Sequence, residues 1–191
     1  MADPQGKLVI ISGPSGVGKS TVVQQLLKTC ELPLVLSISA TTRAARPGET
    51  DGIQYHFLSE DQFREKRERG DFLESMEVFG RGHWYGTLKN KVASGLKQGK
   101  WVILEIDVDG AMKVVDQCPD AITIFIHPGS LQELEVRLRK RGTETAAAIN
   151  RRLEVAQHEL RFAERYQFVV VNEILDETVT NICHYLSQLR A

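Results

Sequence analysis

The sequence is short of several things, and each shortage excludes something. It has three cysteines, Cys30, Cys118 and Cys183, an odd number, widely spaced and without a C-x-x-C pair. That argues against a disulfide framework, and the three read as reduced thiols. Charge of one sign is also missing. The 24 Lys and Arg against 25 Asp and Glu leave a formal net charge of -1. No global electrostatic pull toward a nucleic-acid polymer or an anionic membrane is expected. No apolar run approaches the length of a membrane span, and Met1 to Gly6 is too short and polar for a secretory signal. Repeats, low-complexity tracts and Pro-rich linkers are absent. What remains is 191 residues, 42% hydrophobic and 26% charged. This is the profile of a soluble, cytoplasmic protein with one substantial core and room for small insertions.

One stretch organises the rest. Gly13-Pro14-Ser15-Gly16-Val17-Gly18-Lys19-Ser20 fits G-x-x-x-x-G-K-[ST]. The apolar run Leu8 to Ile11 before it reads as a buried strand. The stripe Val22, Val23, Leu26 and Leu27 after it reads as a helix over 19–29. A strand turning sharply into a helix aims successive backbone N–H groups at one point, where a polyphosphate can sit on the positive helix end. Lys19 would reach the outer phosphates, and the Ser20 hydroxyl would ligate a magnesium ion riding on them. An ordinary Gly-rich turn with a surface lysine would lack the flanking strand and helix.

Further apolar runs at 34–38, 101–106, 121–126 and 168–172 join 7–12 as continuous stretches. Burial on both faces, and so a parallel sheet, is the expectation. Helical patterns at 88–98, 108–117, 130–141, 145–165 and 175–189 alternate with them, which predicts a three-layer α/β core. Two regions break the alternation. Ser39 to Thr87 is polar and Gly-punctuated, with strands expected at 54–57 and 72–79. A charged helix at 60–69 lies between them, opened by a Ser59/Gln62 capping box. It reads as a small α+β insertion able to carry a second ligand. From His127 to about Arg152 a helix capped by Ser130 and Glu133 is expected to end at Gly142, with a new one starting near Thr145. Arginines 137, 139, 141, 151 and 152 cluster there, and Ile149, Leu153, Ala156, Leu160 and Ala163 keep one apolar face against the core.

With these features in view, the chain resembles the guanylate kinases over essentially its whole length. The resemblance is carried by Ser37 to Arg43, Arg46-Pro47-Gly48-Glu49, Gly52-Ile53-Gln54-Tyr55 and Phe72-Leu73-Glu74. It continues in Trp84-Tyr85-Gly86-Thr87, Arg141-Gly142-Thr143-Glu144 and Val171-Asn172. It implies a P-loop kinase core with a five-stranded parallel sheet (1–36, 88–127 and 154–191), a GMP-binding domain (37–87) and a mobile helical lid (128–153). It also implies transfer of a phosphoryl group from ATP to GMP with Mg²⁺, a step in guanine nucleotide synthesis and recycling. The partners are then small molecules, ATP and GMP (with dGMP a candidate), and oligomeric state is left open.

Residue by residue, the resemblance gives ATP the loop Gly13, Pro14, Ser15, Gly16, Val17, Gly18, Lys19 and Ser20, with Thr21 after it and Asn172 beside the adenine. It gives the GMP phosphate to Arg43, Arg46, Tyr55 and Tyr85, and the guanine edge to Glu74, with Ser39 and Thr87 near O6. Forked guanidinium donors suit a phosphate. A carboxylate can accept from guanine N1–H and N2–H₂ together, although without the resemblance Glu74 would read as an exposed strand carboxylate. Asp107 is expected near the base or the metal shell. Lys19, Arg43, Arg141 and Arg152 are the expected catalytic set, the last two crossing to the transferring phosphoryl group when the lid closes. Glu105 departs from the family's usual Asp-x-Asp. It could organise magnesium-bound water or be purely structural. The 80–84 loop is about two residues longer than the commonest pattern, and His83 has no second His or Cys at ligand spacing. Two other readings remain: a kinase acting on a phosphorylated ribose, and a non-catalytic module binding phosphorylated peptides.

Overall fold

A computed structural model of the chain describes residues 6–77, 82–140 and 145–190. In chain order the elements are β1 (Leu8–Ser12), α1 (Lys19–Thr29), β2 (Leu34–Leu36), β3 (Ala40–Thr41) and β4 (His56–Phe57). Then come α2 (Glu60–Glu68), β5 (Phe72–Glu77), β6 (Trp84–Leu88), α3 (Lys89–Lys97), β7 (Trp101–Glu105) and α4 (Val108–Gln117). The chain continues through β8 (Ile122–His127), α5 (Leu131–Lys140), α6 (Ala146–Leu160), a 3₁₀ turn (Ala163–Arg165), β9 (Phe168–Val171) and α7 (Leu175–Gln188).

Five strands form one sheet in the order β2-β7-β1-β8-β9, and every pair in it is parallel. β1 runs through the middle and all five of its residues are buried. Alternate side chains leave a strand on opposite faces, and here both faces are covered. Val9 and Ile11 pack among residues of α1 and α7, such as Val22, Leu26 and Ile182. Leu8 and Ile10 pack among residues of α3 and α4, such as Val92, Val108 and Val114. This is why the central strands read as unbroken apolar runs; the expected two-sided burial fails at the edge strand β9, where Val169 and Val171 are exposed because no further strand or helix of the described residues covers them. Because all five run the same way, the loops after them open on one edge. That edge holds the Gly13–Gly18 loop, Ile106-Asp107, and Asn172. Crevices at this edge of an open parallel sheet are where ligands bind.

A second sheet, ordered β4-β3-β6-β5, belongs to the 39–87 region. It has its own small core of Ala40, Phe63, Phe72 and Leu88, with Phe63 stacked on Phe72 at 4.4 Å between ring centroids. The capping box opens α2 as expected: the Ser59 hydroxyl accepts from Gln62 N, and the Gln62 side chain accepts from Ser59 N. The 54–57 strand shrinks to His56–Phe57, and β3 and β6 are additions that periodicity missed. β6 pairs with both β3 and β5, yet Gly86 sits inside it. A Cβ there would come within 2.9 Å of the Phe72 ring, so the glycine marks a close approach and not a turn.

α5 and α6 pack on each other through Leu134, Leu138, Ile149 and Ala156, with Leu153 beside them. The apolar face of α6 is therefore split. Its first half meets α5, and only Leu160, with Phe162 and Ala163 beyond it, joins the main core. The expected helix over 145–165 stops at Leu160 for this reason. Arg161 N and Phe162 N bond three residues back, and the chain tightens into the 3₁₀ turn as it re-enters the core. Arg141 and the rest of 141–144, the expected helix end at Gly142 among them, lie outside the described residues, as do 78–79 of the strand expected at 72–79 and 80–81 of the longer loop.

One expectation is overturned. Cys30 and Cys183 are joined in a disulfide, and among the described residues only Cys118 is free. The two partners are 153 residues apart in sequence, so spacing carried no sign of them. Cys30 closes α1, and Cys183 faces it from α7 on the same side of the sheet. None of the helices among the described residues is long and apolar enough to cross a membrane.

Candidate active site

The loop after β1 is shaped by its glycines. Gly18 has φ 101°, in the left-handed region, and is the N-cap of α1 with no side-chain cap. The first-turn N–H groups of α1 are thus left for a ligand. Lys19 folds back, its Nζ donating to Gly13 O at 2.5 Å and Pro14 O at 3.2 Å. Burial lowers its pKa, and the carboxylates of Glu159, Glu105 and Asp107 oppose that shift. The Ser20 hydroxyl donates to Glu105 Oε1 at 2.5 Å. The departure at Glu105 therefore meets the residue expected to hold metal. Two oxygens side by side at the mouth of a phosphate loop suit a hard cation that takes most of its ligands from phosphate and water. Among the described residues no group of three or more His, Cys, Asp or Glu could hold a metal by itself.

Beside the loop, a cleft of about 270 Å³ separates the two sheets. The small sheet and its loops contribute Ser39, Tyr55, Glu74 and Tyr85; the main sheet contributes Lys19, Glu105 and Asp107. Glu74 is 6% exposed, and burial pushes its carboxyl up to about 7. Thr87, on the neighbouring strand, donates its hydroxyl to Glu74 Oε1 at 2.7 Å. Thr87 is 1% exposed, so it stands behind Glu74 and does not line the cleft. Asp107 accepts from Gly110 N at 2.8 Å as the N-cap of α4, and burial raises its pKa too.

Toward the outer end of the cleft, Arg43 Nε donates to the Tyr85 hydroxyl at 3.3 Å. Its guanidinium lies 5.4 Å from the Tyr55 ring centroid, and the Tyr55 and Tyr85 rings meet edge to face at 5.7 Å. Three of the four residues expected at one phosphate are thus together. Arg46 is exposed on the loop, its backbone N bonded to Glu49. Glu49 is a residue whose role sequence reasoning missed. It takes both terminal nitrogens of Arg43 at 2.9 Å, holding the fork in one plane and raising the guanidinium pKa.

On the other side of the loop, a recess of about 300 Å³ is lined by Gly16 to Gly18, Thr21, Arg137 and Asn172. Asn172 Nδ2 donates to Val17 O at 2.8 Å, and Arg137 donates to Asn172 O at 2.6 Å. Arg137 therefore braces the loop, while Arg139 pairs with Glu135 on its own helix. Arg152 is half-buried on α6. Glu159, also on α6 and not singled out by the sequence, is 8% exposed near Lys19.

A family model described as guanylate kinase matches residues 5–189. The chain is 57% identical over 187 residues to a guanylate kinase of Rhodopirellula baltica, covering 97% of this chain and 89% of that protein. It is 41% identical over 187 residues to one of Thermotoga maritima, covering 98% and 89%. The crystal structure of a guanylate kinase from Anaplasma phagocytophilum superposes with a TM-score of 0.79 at 32% identity, covering 98% of this chain and 88% of that one.

Proposed function

The chain belongs to the guanylate kinase family, enzymes that phosphorylate GMP with ATP to give GDP and ADP, and we propose how its residues divide that work. The observation that carries the proposal is Glu74: a carboxylate buried in a cleft that opens toward the phosphate-loop lysine, aligned by the Thr87 hydroxyl. Ionised, it accepts from guanine N1–H and N2–H₂, the two donors that adenine lacks at those positions. Thr87 orients it, and Ser39 completes the edge near O6. Arg43, Tyr55 and Tyr85, joined by Arg46 from the loop, hold the GMP phosphate. Glu49 keeps Arg43 presented.

ATP lies across Gly13–Ser20 and Thr21, its adenine in the recess beside Asn172 and Arg137. Lys19 leaves the loop carbonyls for the outer phosphates. Ser20, with Glu105 beside it, would hold a magnesium ion, which would neutralise phosphate charge. Asp107 lines the main-sheet side of the cleft, where it would lie near the base. Phosphoryl transfer needs placement and charge stabilisation more than covalent chemistry from the protein. Arg141 and Arg152 supply positive charge as 128–153 closes over 37–87 on a core of 1–36, 88–127 and 154–191. A cytoplasmic protein is the natural setting for these substrates, and there the Cys30–Cys183 pair would meet a reducing thiol pool. The test is coupled ADP release with Mg·ATP and each monophosphate in turn. Release dependent on GMP, and largely absent with AMP, CMP or UMP, is expected. Equal rates with AMP would contradict the reading of the cleft.

A further inference from the structure

β5 presents two side chains to the cleft. Glu74 and Met76 are two residues apart on it, so they leave the strand on the same face, and two strand residues span about 7 Å. Both line the cleft. The small sheet's own core, with Phe63, Phe72 and Leu88, does not include Met76. Met76 is half-buried, yet it joins none of the four apolar cores formed by the described residues. It is paired with Tyr85 on β6, as Glu74 is with Thr87. Met76 therefore lies between the buried carboxylate and the Arg43, Tyr55 and Tyr85 group. Among the described residues that line the cleft, only Met76 and Ile106 carry wholly apolar side chains. Ile106, just after β7 on the main-sheet side, packs against one of the main-sheet cores. Met76 is the apolar side chain that the fold leaves to the cleft.

We infer that Met76 is the apolar contact for the face of the purine, and so a specificity-determining residue of the acceptor cleft. The inference rests on the cleft being the GMP site. Hydrogen bonds to Glu74 and Ser39 fix the edge of guanine but leave both faces of the ring uncovered. A nucleotide with its base at Glu74 and its phosphate at Arg43 must pass Met76. The thioether is flexible and polarizable, and sulfur makes favourable contacts with aromatic rings. Half-buried on its strand, it gives up its remaining water to a ring that covers it, and that apolar burial favours binding. A contact with the ring face is blind to the polar edge. It does not choose between guanine and adenine, which is left to Glu74. It does favour two fused rings over one, because a pyrimidine covers less of the side chain.

Two variants test this. Met76→Ala removes the contact, and Met76→Leu keeps most of its apolar area. The measurements are the Kd of GMP by calorimetry without ATP, KM and kcat for GMP, kcat/KM for AMP and UMP, and the melting temperature. Met76→Ala is expected to raise the GMP Kd about tenfold, the size that baring one methionine side chain supports. The loss should appear in the GMP KM, with kcat within about twofold of wild type, and Met76→Leu should recover most of it. In Met76→Ala the GMP/AMP ratio of kcat/KM should hold while the GMP/UMP ratio narrows. Wild-type GMP affinity in Met76→Ala would overturn the inference. So would a collapsed GMP/AMP ratio, an unchanged GMP/UMP ratio, or a loss that follows a lowered melting temperature and is shared in full by Met76→Leu. Glu74→Gln is the control on the premise. If it too binds GMP as wild type does, the assignment of the cleft fails first; if it alone weakens GMP binding, the cleft stands and the role of Met76 falls.

Discussion

The phosphate loop and the acceptor cleft adjoin each other but are built in opposite ways. The loop is eight consecutive residues, six between β1 and α1 and two that open the helix, and what it offers a ligand is mostly backbone N–H. The cleft is assembled from Ser39, Tyr55, Glu74, Tyr85 and Asp107, which come from two sheets and the loops between them. A site made by backbone and one lysine has little redundancy. A site made by dispersed side chains can lose one contact and keep the others. The loop should therefore fail as a unit, whereas the cleft should fail in degrees and selectively.

The sharpest break is expected at Lys19. Lys19→Ala should take turnover below detection while circular dichroism still shows a folded protein. Substantial turnover would mean that the loop's backbone suffices. Next comes Arg152→Ala, for which kcat should drop on the order of 10³ by the usual size of a charge-stabilising arginine in phosphoryl transfer. GMP binding measured without turnover should change little. If GMP binding is lost and kcat is kept, Arg152 belongs to the cleft and the boundary between the two regions is misplaced.

A graded effect is expected from pH. Burial disfavours the charge of the Glu74 carboxyl and pushes it up to about 7. GMP needs the ionised form. Below pH 7 the carboxyl is increasingly protonated, so the GMP KM should rise as pH falls, approaching about tenfold per pH unit. Glu74→Gln has no such proton to lose, and its GMP KM should lack this limb. An unchanged limb in that variant would assign the titration to another group. The smallest effect is expected away from both sites. Ser59→Ala removes one side of the α2 capping box and should cost about 1 kcal/mol of stability, read as a lower denaturant midpoint with kcat intact. A fall in kcat as large as the Arg152 effect would show that the insertion's rigidity is itself catalytic.

The same contrast explains what could be read in the sequence. α1 was expected over 19–29 and spans Lys19–Thr29, because caps, stripe and motif are all local. β1, β7 and β8 stood out because burial on both faces makes each an uninterrupted apolar run; the edge strand β9 is as apolar but leaves Val169 and Val171 exposed. β6 did not stand out, because Gly86 breaks its pattern for a reason located on Phe72. Glu74 was expected as a base reader only through family resemblance; its partner Thr87 and its burial depend on strand pairing between β5 and β6. Glu49 could have been suspected from an acid a few residues after Arg43 and Arg46 in a Gly-containing turn. Met76 could not, since its place in the cleft depends on that same pairing. The Cys30–Cys183 bond likewise depends on α1 and α7 being neighbours on one face of the main sheet.

The central claim is that one buried carboxylate makes the cleft a reader of guanine. A charged acceptor facing adenine would meet a lone pair at N1 and stay unpaired, and sites built to pair a substrate's N–H groups reject analogues lacking them by ~10⁴-fold or more. The most direct measurement is kcat/KM for GMP and for AMP on the wild-type protein and on Glu74→Gln. The account predicts a GMP/AMP ratio of that order in the wild type. In the variant it predicts a sharp fall in kcat/KM for GMP and a collapsed ratio, with Mg·ATP affinity nearly constant. A ratio that survives Glu74→Gln unchanged would contradict it and move the selectivity to Ser39 or Asp107, which also line the cleft.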